Sequence, residues 1–157
     1  MERRFIDQVR SFNRAVTLGT GALNDSYLGR GRPLGQARLL FEIGSDGSDI
    51  RSLRERLGLD SGYASRLLKS LEAEGLIAVE SDSADRRRRL VTPTAKGLSE
   101  RAAYDALSDN LAGSLLDALN AAQRDRLVAA MTDVERLMTA ASVTAGCSNR
   151  AASTSAQ

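Results

Sequence analysis

The chain has 157 residues, a length that suits one domain, and its 42% hydrophobic and 27% charged content exclude a disordered or collagen-like polymer. The 22 Lys and Arg against 20 Asp and Glu leave a net charge of only +2, so the molecule as a whole is no polybasic nucleic-acid sponge. With no histidine, one cysteine, no Gly-rich phosphate loop and no acidic cluster at metal spacing, the sequence argues against an enzyme, and neither metal, cofactor nor internal disulfide is expected.

The N-terminal run MERRFIDQVRSFNRAV is charged and amphipathic rather than uniformly apolar. It does not read as a secretory signal, nothing approaches a membrane span, and a cytoplasmic protein is expected. Phe5, Ile6, Val9, Phe12 and Val16 recur at helical spacing, which predicts a first helix with one apolar stripe ending by Gly19 and Gly21. A Gly- and Arg-rich loop, Tyr27 to Pro33, leads to the apolar segment Ala37 to Ile43, which Gly44 closes. Ser48 is expected to cap a third helix that turns Ile50, Leu53 and Leu57 inward before Gly58 and Leu59. Helix, short Gly-containing turn, helix is the helix-turn-helix pattern.

Asp60 can cap the next helix, in which Ala64, Leu67, Leu68 and Leu71 form the apolar face. Ser61, Gly62, Tyr63, Ser65, Arg66 and Lys69 occupy the other side and crowd its N-terminal half, where a recognition helix enters the major groove. Tyr63 reads equally well as packed against a neighbouring helix, and Arg66 as either a base contact or a phosphate clamp. Gly75 ends the helix, Leu76 to Val79 suits a strand, and Leu90 to Thr92 resumes one, so a hairpin is predicted between them. Its loop carries Asp82, Asp85 and four consecutive arginines, Arg86 to Arg89. Such a run is poor core and good phosphate or minor-groove probe; the alternative is a solvated charge run. From Arg86 to Arg101 there are six Lys or Arg against one acid, Glu100, and from Ala102 onward four Arg against six acids, so the basic charge is local.

Thr94 can cap a long helix carrying Leu98, Ala102, Leu107, Leu111, Leu115 and Leu119, and Asn120 with Gln123 reads as a capping box opening another with Leu127, Val128, Met131, Val134, Leu137 and Met138. These faces and that of the first helix exceed what a small winged domain covers, which predicts a homodimer. Residues 142–157, rich in Ser, Thr and Ala, are expected to be a disordered tail in which Cys147 is incidental.

From about Phe5 to Met138 the chain resembles the MarR family of winged-helix transcriptional regulators. The most specific stretch is DSADRRRRLVTPTAKG, residues 82–97, with LGLDSGYASRLLKSLEAEGLI upstream. Pro93 departs from the family pattern, which has Leu before the Thr, and touches only the strand-to-helix junction. VRSFNR, DSYLG, LGLDSGYASRLL and RLVAAM are similar to the regulator half of proteins that fuse such a domain to a GNAT-class acetyltransferase; no acetyl-coenzyme A site is carried over.

The resemblance implies a mainly α fold with a small β-hairpin wing: a MarR-type domain over 1–141, with a winged helix-turn-helix at about 34–94 and a helical dimerisation layer from about 2–24 and 95–141. It implies a cytoplasmic regulator, a repressor, binding double-stranded DNA as a homodimer on palindromic operators and relieved by a small-molecule effector. In the wing it implies that Asp85 orients Arg87 toward the minor groove, while Arg86 and Arg88 either contact DNA or hold the wing to the body. Ser65 and Arg66 correspond to positions contacting bases and backbone, with Ser61, Gly62, Tyr63 and Lys69 beside them. Phe12, Tyr27, Arg38 and Phe41 are candidates for the effector pocket, each also readable as ordinary core or surface. The competing reading is a winged-helix module that binds protein and not DNA.

Overall fold

Leucines and isoleucines at helical spacing dictate where the core lies, and a hairpin closes it. The computed structural model describes residues 2–24 and 26–154, with side chains up to 141. Helix α1 (Arg3–Gly19) is followed by a 3-10 turn at Tyr27–Gly29, α2 (Leu34–Ile43), the short strand β1 (Ser48–Asp49), α3 (Ile50–Leu57) and α4 (Ser61–Ala73). Then come β2 (Ile77–Ser81), β3 (Arg89–Pro93), α5 (Ala95–Asp117) and α6 (Ala121–Thr154). The mainly helical fold with a hairpin wing expected from the sequence is therefore observed. The chain divides into two compact units, residues 1–109 and 110–157.

In the first unit, Leu39, Leu40 and Ile43 of α2, Leu53 of α3 and Leu67, Leu68 and Leu71 of α4 meet Leu76, Ile77 and Val91 in one buried cluster. The sheet is antiparallel, in the order β1-β3-β2, with Ser48 opposite Val91 and Ser81 opposite Arg89. Strand alternation puts Val79 and Val91 together on the face toward the helices. Helix α1 buries none of its residues, and Phe5 and Val9 are more than half exposed. In the second unit the anticipated capping box is present: the Asn120 carboxamide oxygen accepts from the Gln123 amide, and the Gln123 side chain from the Asn120 amide, both at 3.0 Å. Arg124 Nε donates to the Leu116 carbonyl at 2.7 Å across the turn. The tail expectation for 142–157, and Cys147 with it, falls on the distal part of α6 and beyond Thr154, outside the described side chains.

One helix start differs from expectation. Ser48 does not cap α3; Asp49 does, its carboxylate accepting from the Ser52 amide at 2.9 Å. Ser48 is committed to β1, and its hydroxyl donates instead to the Ile43 carbonyl at 2.9 Å. The cap must immediately precede the first helical residue in extended conformation, and Asp49 has it, at φ −70° and ψ 128°.

The end of α4 is fastened to the start of α5. Gly75, at φ +71°, lets the chain reverse after Glu74, the C-terminal cap of α4. The Thr94 hydroxyl donates to the Gly75 carbonyl at 2.7 Å and accepts from the Gly97 amide at 3.1 Å, while Lys96 Nζ donates to the Glu74 carbonyl at 2.7 Å. Arg32 then spans both helices, donating at 2.5 Å to Glu74 and at 2.5 Å to Glu100. Arg30 forks onto the same Glu100 carboxylate at 2.8 and 2.5 Å. The Arg30 hydrogen bond, with help from Arg32 and against the opposing effect of burial, holds the Glu100 carboxyl down to about 2 from an ordinary 4.5.

Two predictions follow from this junction. A Cβ at Gly97 would collide with the Leu76 carbonyl oxygen, so Gly97→Ala should lower the urea unfolding midpoint by the equivalent of about 1–3 kcal/mol. The second concerns pH: because Glu100 is more acidic folded than unfolded, its pairing stabilises the fold above about pH 4.5 and is lost as the pH falls toward 2. Urea titrations at stepped pH should show Glu100→Gln less stable than wild type at pH 7, by about 1–3 kcal/mol, with the gap narrowing across that acid window.

Candidate nucleic-acid interface

Helix α4 carries its apolar side inward and its polar side outward for a local reason. Ala64, Leu67, Leu68 and Leu71 are buried, so Ser61, Gly62, Tyr63, Ser65, Arg66 and Lys69 are turned to solvent, and all six are exposed. Asp60 starts the helix as expected, accepting from the Tyr63 amide at 3.0 Å. Helical side chains lean toward the N-terminus, and Arg66 does so: its guanidinium stands 5.8 Å from the centroid of the Tyr63 ring. Tyr63 satisfies both of its readings in part. It is 38% exposed, yet its hydroxyl abuts Gly35 in the first turn of α2, where a Cβ would lie only 2.6 Å away.

The wing is a short, tightly turned hairpin. The Asp82 amide donates to the Arg88 carbonyl and the Arg88 amide to the Asp85 carbonyl, both at 2.9 Å. Each loop carboxylate serves the backbone two residues on: Asp82 accepts from the Ala84 amide at 2.9 Å and Asp85 from the Arg87 amide at 3.0 Å. The Asp85 carboxylate thus serves this turn, and no ion pair joins it to Arg87 among the described residues. Arg88 holds the wing to the body, with Nε 3.4 Å from Asp49 and Nη1 3.6 Å from Asp82. The Ser52 amide, and then Arg88, keep the Asp49 carboxyl below its ordinary value. Arg86 and Arg87 are exposed at the tip without an ion pair among the described residues.

A separate cavity of about 220 Å³ opens between α2 and α5, lined by Tyr27, Leu34, Ala37, Arg38, Phe41, Tyr104, Asp105 and Ser108. It brings together three of the four pocket candidates, Tyr27, Arg38 and Phe41; Phe12 on α1 is not part of the lining. Phe41 is flanked by the guanidinium of Arg101 at 4.9 Å and that of Arg38 at 5.9 Å. Tyr104, which sequence reading passed over, forms the back wall. It stacks on Tyr27 with centroids 6.0 Å apart, and its buried hydroxyl lies beside the Arg32 guanidinium and donates to no acceptor among the described residues. Its place one helical turn after Glu100 is the only local signal it gave.

Comparison with known proteins agrees with this geometry. The sequence model of the MarR family matches residues 30–88. No curated protein sequence matches. Among solved structures, FabT of Streptococcus pneumoniae in complex with DNA superposes with a TM-score of 0.69 at 14% identity, over 87% of this chain and 96% of that one. A MarR family transcriptional regulator of a Rhodococcus species gives 0.69 at 21% identity, over 88% and 97%. BpsR of Bordetella bronchiseptica, whose DNA binding is regulated by 6-hydroxynicotinic acid, gives 0.65 at 21% identity, over 82% and 98%. Residues 30–88 thus match the model of the MarR family, and the chain has the same fold as these solved structures.

Proposed function

We propose that the protein is a cytoplasmic transcriptional repressor that binds double-stranded DNA of defined sequence as a homodimer on palindromic operators. The observation that carries this reading is the presence, on one compact unit, of a polar α4 face and a wing tip whose Arg86 and Arg87 are committed to no ion pair among the described residues. Residues 34–94 are the reading head, and the helices of 2–24 and 95–141 supply dimerisation. That FabT, of the same fold, is seen with DNA supports the assignment.

In the dimer, two α4 helices about one DNA turn apart, roughly 34–36 Å, enter successive major grooves while each wing reaches the adjacent minor groove. The cavity behind Arg38, Phe41 and Tyr104 takes a small-molecule effector that favours a dimer with unsuitable spacing. A differential binding energy of about 1–3 kcal/mol changes operator affinity about 5- to 150-fold, which suffices for control.

The DNA-binding reading is tested on the duplex that wild type selects from a random library and on a scrambled duplex, each titrated with salt. Arg87→Ala should weaken both alike and flatten the slope of log affinity against log salt by about 0.9 per wing, nearly two per dimer. Arg66→Ala should cost roughly 1–3 kcal/mol per half-site on the selected duplex and much less on the scrambled one. An Arg87→Ala variant with unaltered affinities and slope would reduce the wing to a solvated loop.

The dimer has its own test. Phe5, Val9, Phe12 and Val16 in the first unit, and Leu111, Leu115, Val128, Met131 and Leu137 in the second, are all at least 40% exposed. A second copy removes them from water at about 25 cal/mol per Å². Sedimentation equilibrium should give a dimer at micromolar concentration, and Val9→Glu with Met131→Glu should shift it toward monomer. A folded wild-type monomer at that concentration would sink the assignment.

A further inference from the structure

The basic residues of this domain sort into those already neutralised and those left over. On α3, Arg51 pairs with Glu55 at 3.1 Å and Arg56 lies 3.6 Å from Glu42, donating also to its carbonyl. Arg54, between them, has no such partner among the described residues. In the wing, Arg88 is divided between Asp49 and Asp82, while Arg89 has no carboxylate partner among the described residues. On α4, Lys69 is likewise unpaired.

These three leftover cations come from three different elements and line one cleft of about 230 Å³. Strand alternation explains why Arg89 is not a wing-tip probe like Arg87. It shares the face of Val91, two residues on, and therefore turns toward the helices over Val79. Ser61, Ser65 and Lys69 follow at four-residue steps along one flank of α4, and Ile50 and Arg54 stand one turn apart on α3. The cleft has an apolar floor of Ile50, Ala64, Leu68 and Val79, two serine hydroxyls, and a rim of three cations against one carboxylate, Glu72. An isolated inorganic anion has no use for the apolar floor. A sugar–phosphate unit uses all of it, with the deoxyribose on the floor and the phosphate oxygens on the hydroxyls and cations.

We propose that this cleft seats one backbone phosphate of duplex DNA, held by Arg54, Lys69 and Arg89 between the recognition helix and the root of the wing. The seat rests on the DNA-binding reading above and adds a contact that fixes the register of α4 on the duplex. It lies apart from the wing tip, so the contacts of Arg87 and Arg89 are separate. Because the phosphate backbone has no sequence, the seat contributes to affinity and not to choice of site.

The test uses the full chain and the same selected and scrambled duplexes. The triple variant Arg54→Ala, Lys69→Ala, Arg89→Ala should weaken both duplexes by a similar factor. It should flatten the salt slope by about 0.9 for the one phosphate in each protomer, nearly two per dimer. Adding Arg87→Ala should flatten it further by a similar amount. Glu72→Lys, a change that misfolding cannot imitate, should tighten binding to both duplexes and steepen the slope. Replacing Arg54 and Arg89 by Lys should preserve the slope. Unchanged binding in the triple variant and in Glu72→Lys, with Arg87→Ala still impaired, overturns the seat while leaving the DNA-binding reading intact. Loss confined to the selected duplex also overturns it, since the three would then read bases. A wild type with no salt-dependent affinity for either duplex overturns both.

Discussion

What α4 presents to solvent is oriented from its C-terminal end, and that end is held by the Arg32 guanidinium. Arg32 is mostly buried, and its three hydrogen bonds to carboxylates run to the cap of α4 at Glu74, twice, and to Glu100 on α5. A buried arginine without both carboxylates would leave a desolvated charge, so the arrangement holds only when all three elements are in register. The hydrogen bonds of Thr94 and Lys96 and the close approach of Gly97 to the Leu76 carbonyl add directional restraints at the same joint. Within the first unit, α4, β2 and the beginning of α5 are therefore joined by one set of directional contacts.

A second constraint is the economy of charge. A net charge of +2 says little about function, because most carboxylates are used inside the protein. Asp49 caps α3 and also neutralises Arg88; Asp82 and Asp85 shape the wing turn; Glu74 and Glu100 hold Arg30 and Arg32. Among the described residues, cations without an ion pair include Arg54 on α3, Arg66 and Lys69 on α4 and Arg86, Arg87 and Arg89 in the wing, beside Arg10, Arg14, Arg101 and Arg126 elsewhere. A small surplus, spatially sorted, produces a stronger local field than a larger one spread evenly.

Sequence reading succeeds where a single short-range rule decides the outcome. Asp60, Thr94 and the Asn120–Gln123 box each act within three residues of themselves, and the leucine spacing of α4 separates its two faces without reference to the rest of the chain. It falters where two rules compete or where the partner is distant. Ser48 and Asp49 are both good caps, and the choice between them is made by pairing with Val91 and Leu90 some 40 residues away, in a strand too short to show alternation. Asp85 could serve a guanidinium or an amide, and turn geometry awards it to the amide. Arg32, Glu100 and Tyr104 carried no periodic signal at all, since their importance comes from contacts made across roughly 70 residues. Phe12, an aromatic side chain on the apolar stripe of α1, is not in the lining of the cavity that holds Tyr27, Arg38 and Phe41.

The pocket wall and the joint share residues, which links the two readings physically. Tyr104 lies one turn beyond Glu100 on α5, and Arg30 both binds the Glu100 carboxylate and stands 5.8 Å from the Tyr104 ring centroid. The Tyr104 hydroxyl is a buried donor whose desolvation costs about 1–3 kcal/mol until something accepts from it. A ligand that supplies an acceptor there gains an interaction of that size. It does so one contact away from the arginines that hold α4. Gly97 packs directly on the Leu76 carbonyl, with no room there for a Cβ. A group bound at Tyr104 therefore lies against Arg30 and Glu100, the side chains that tie the start of α5 to the end of α4 through Arg32.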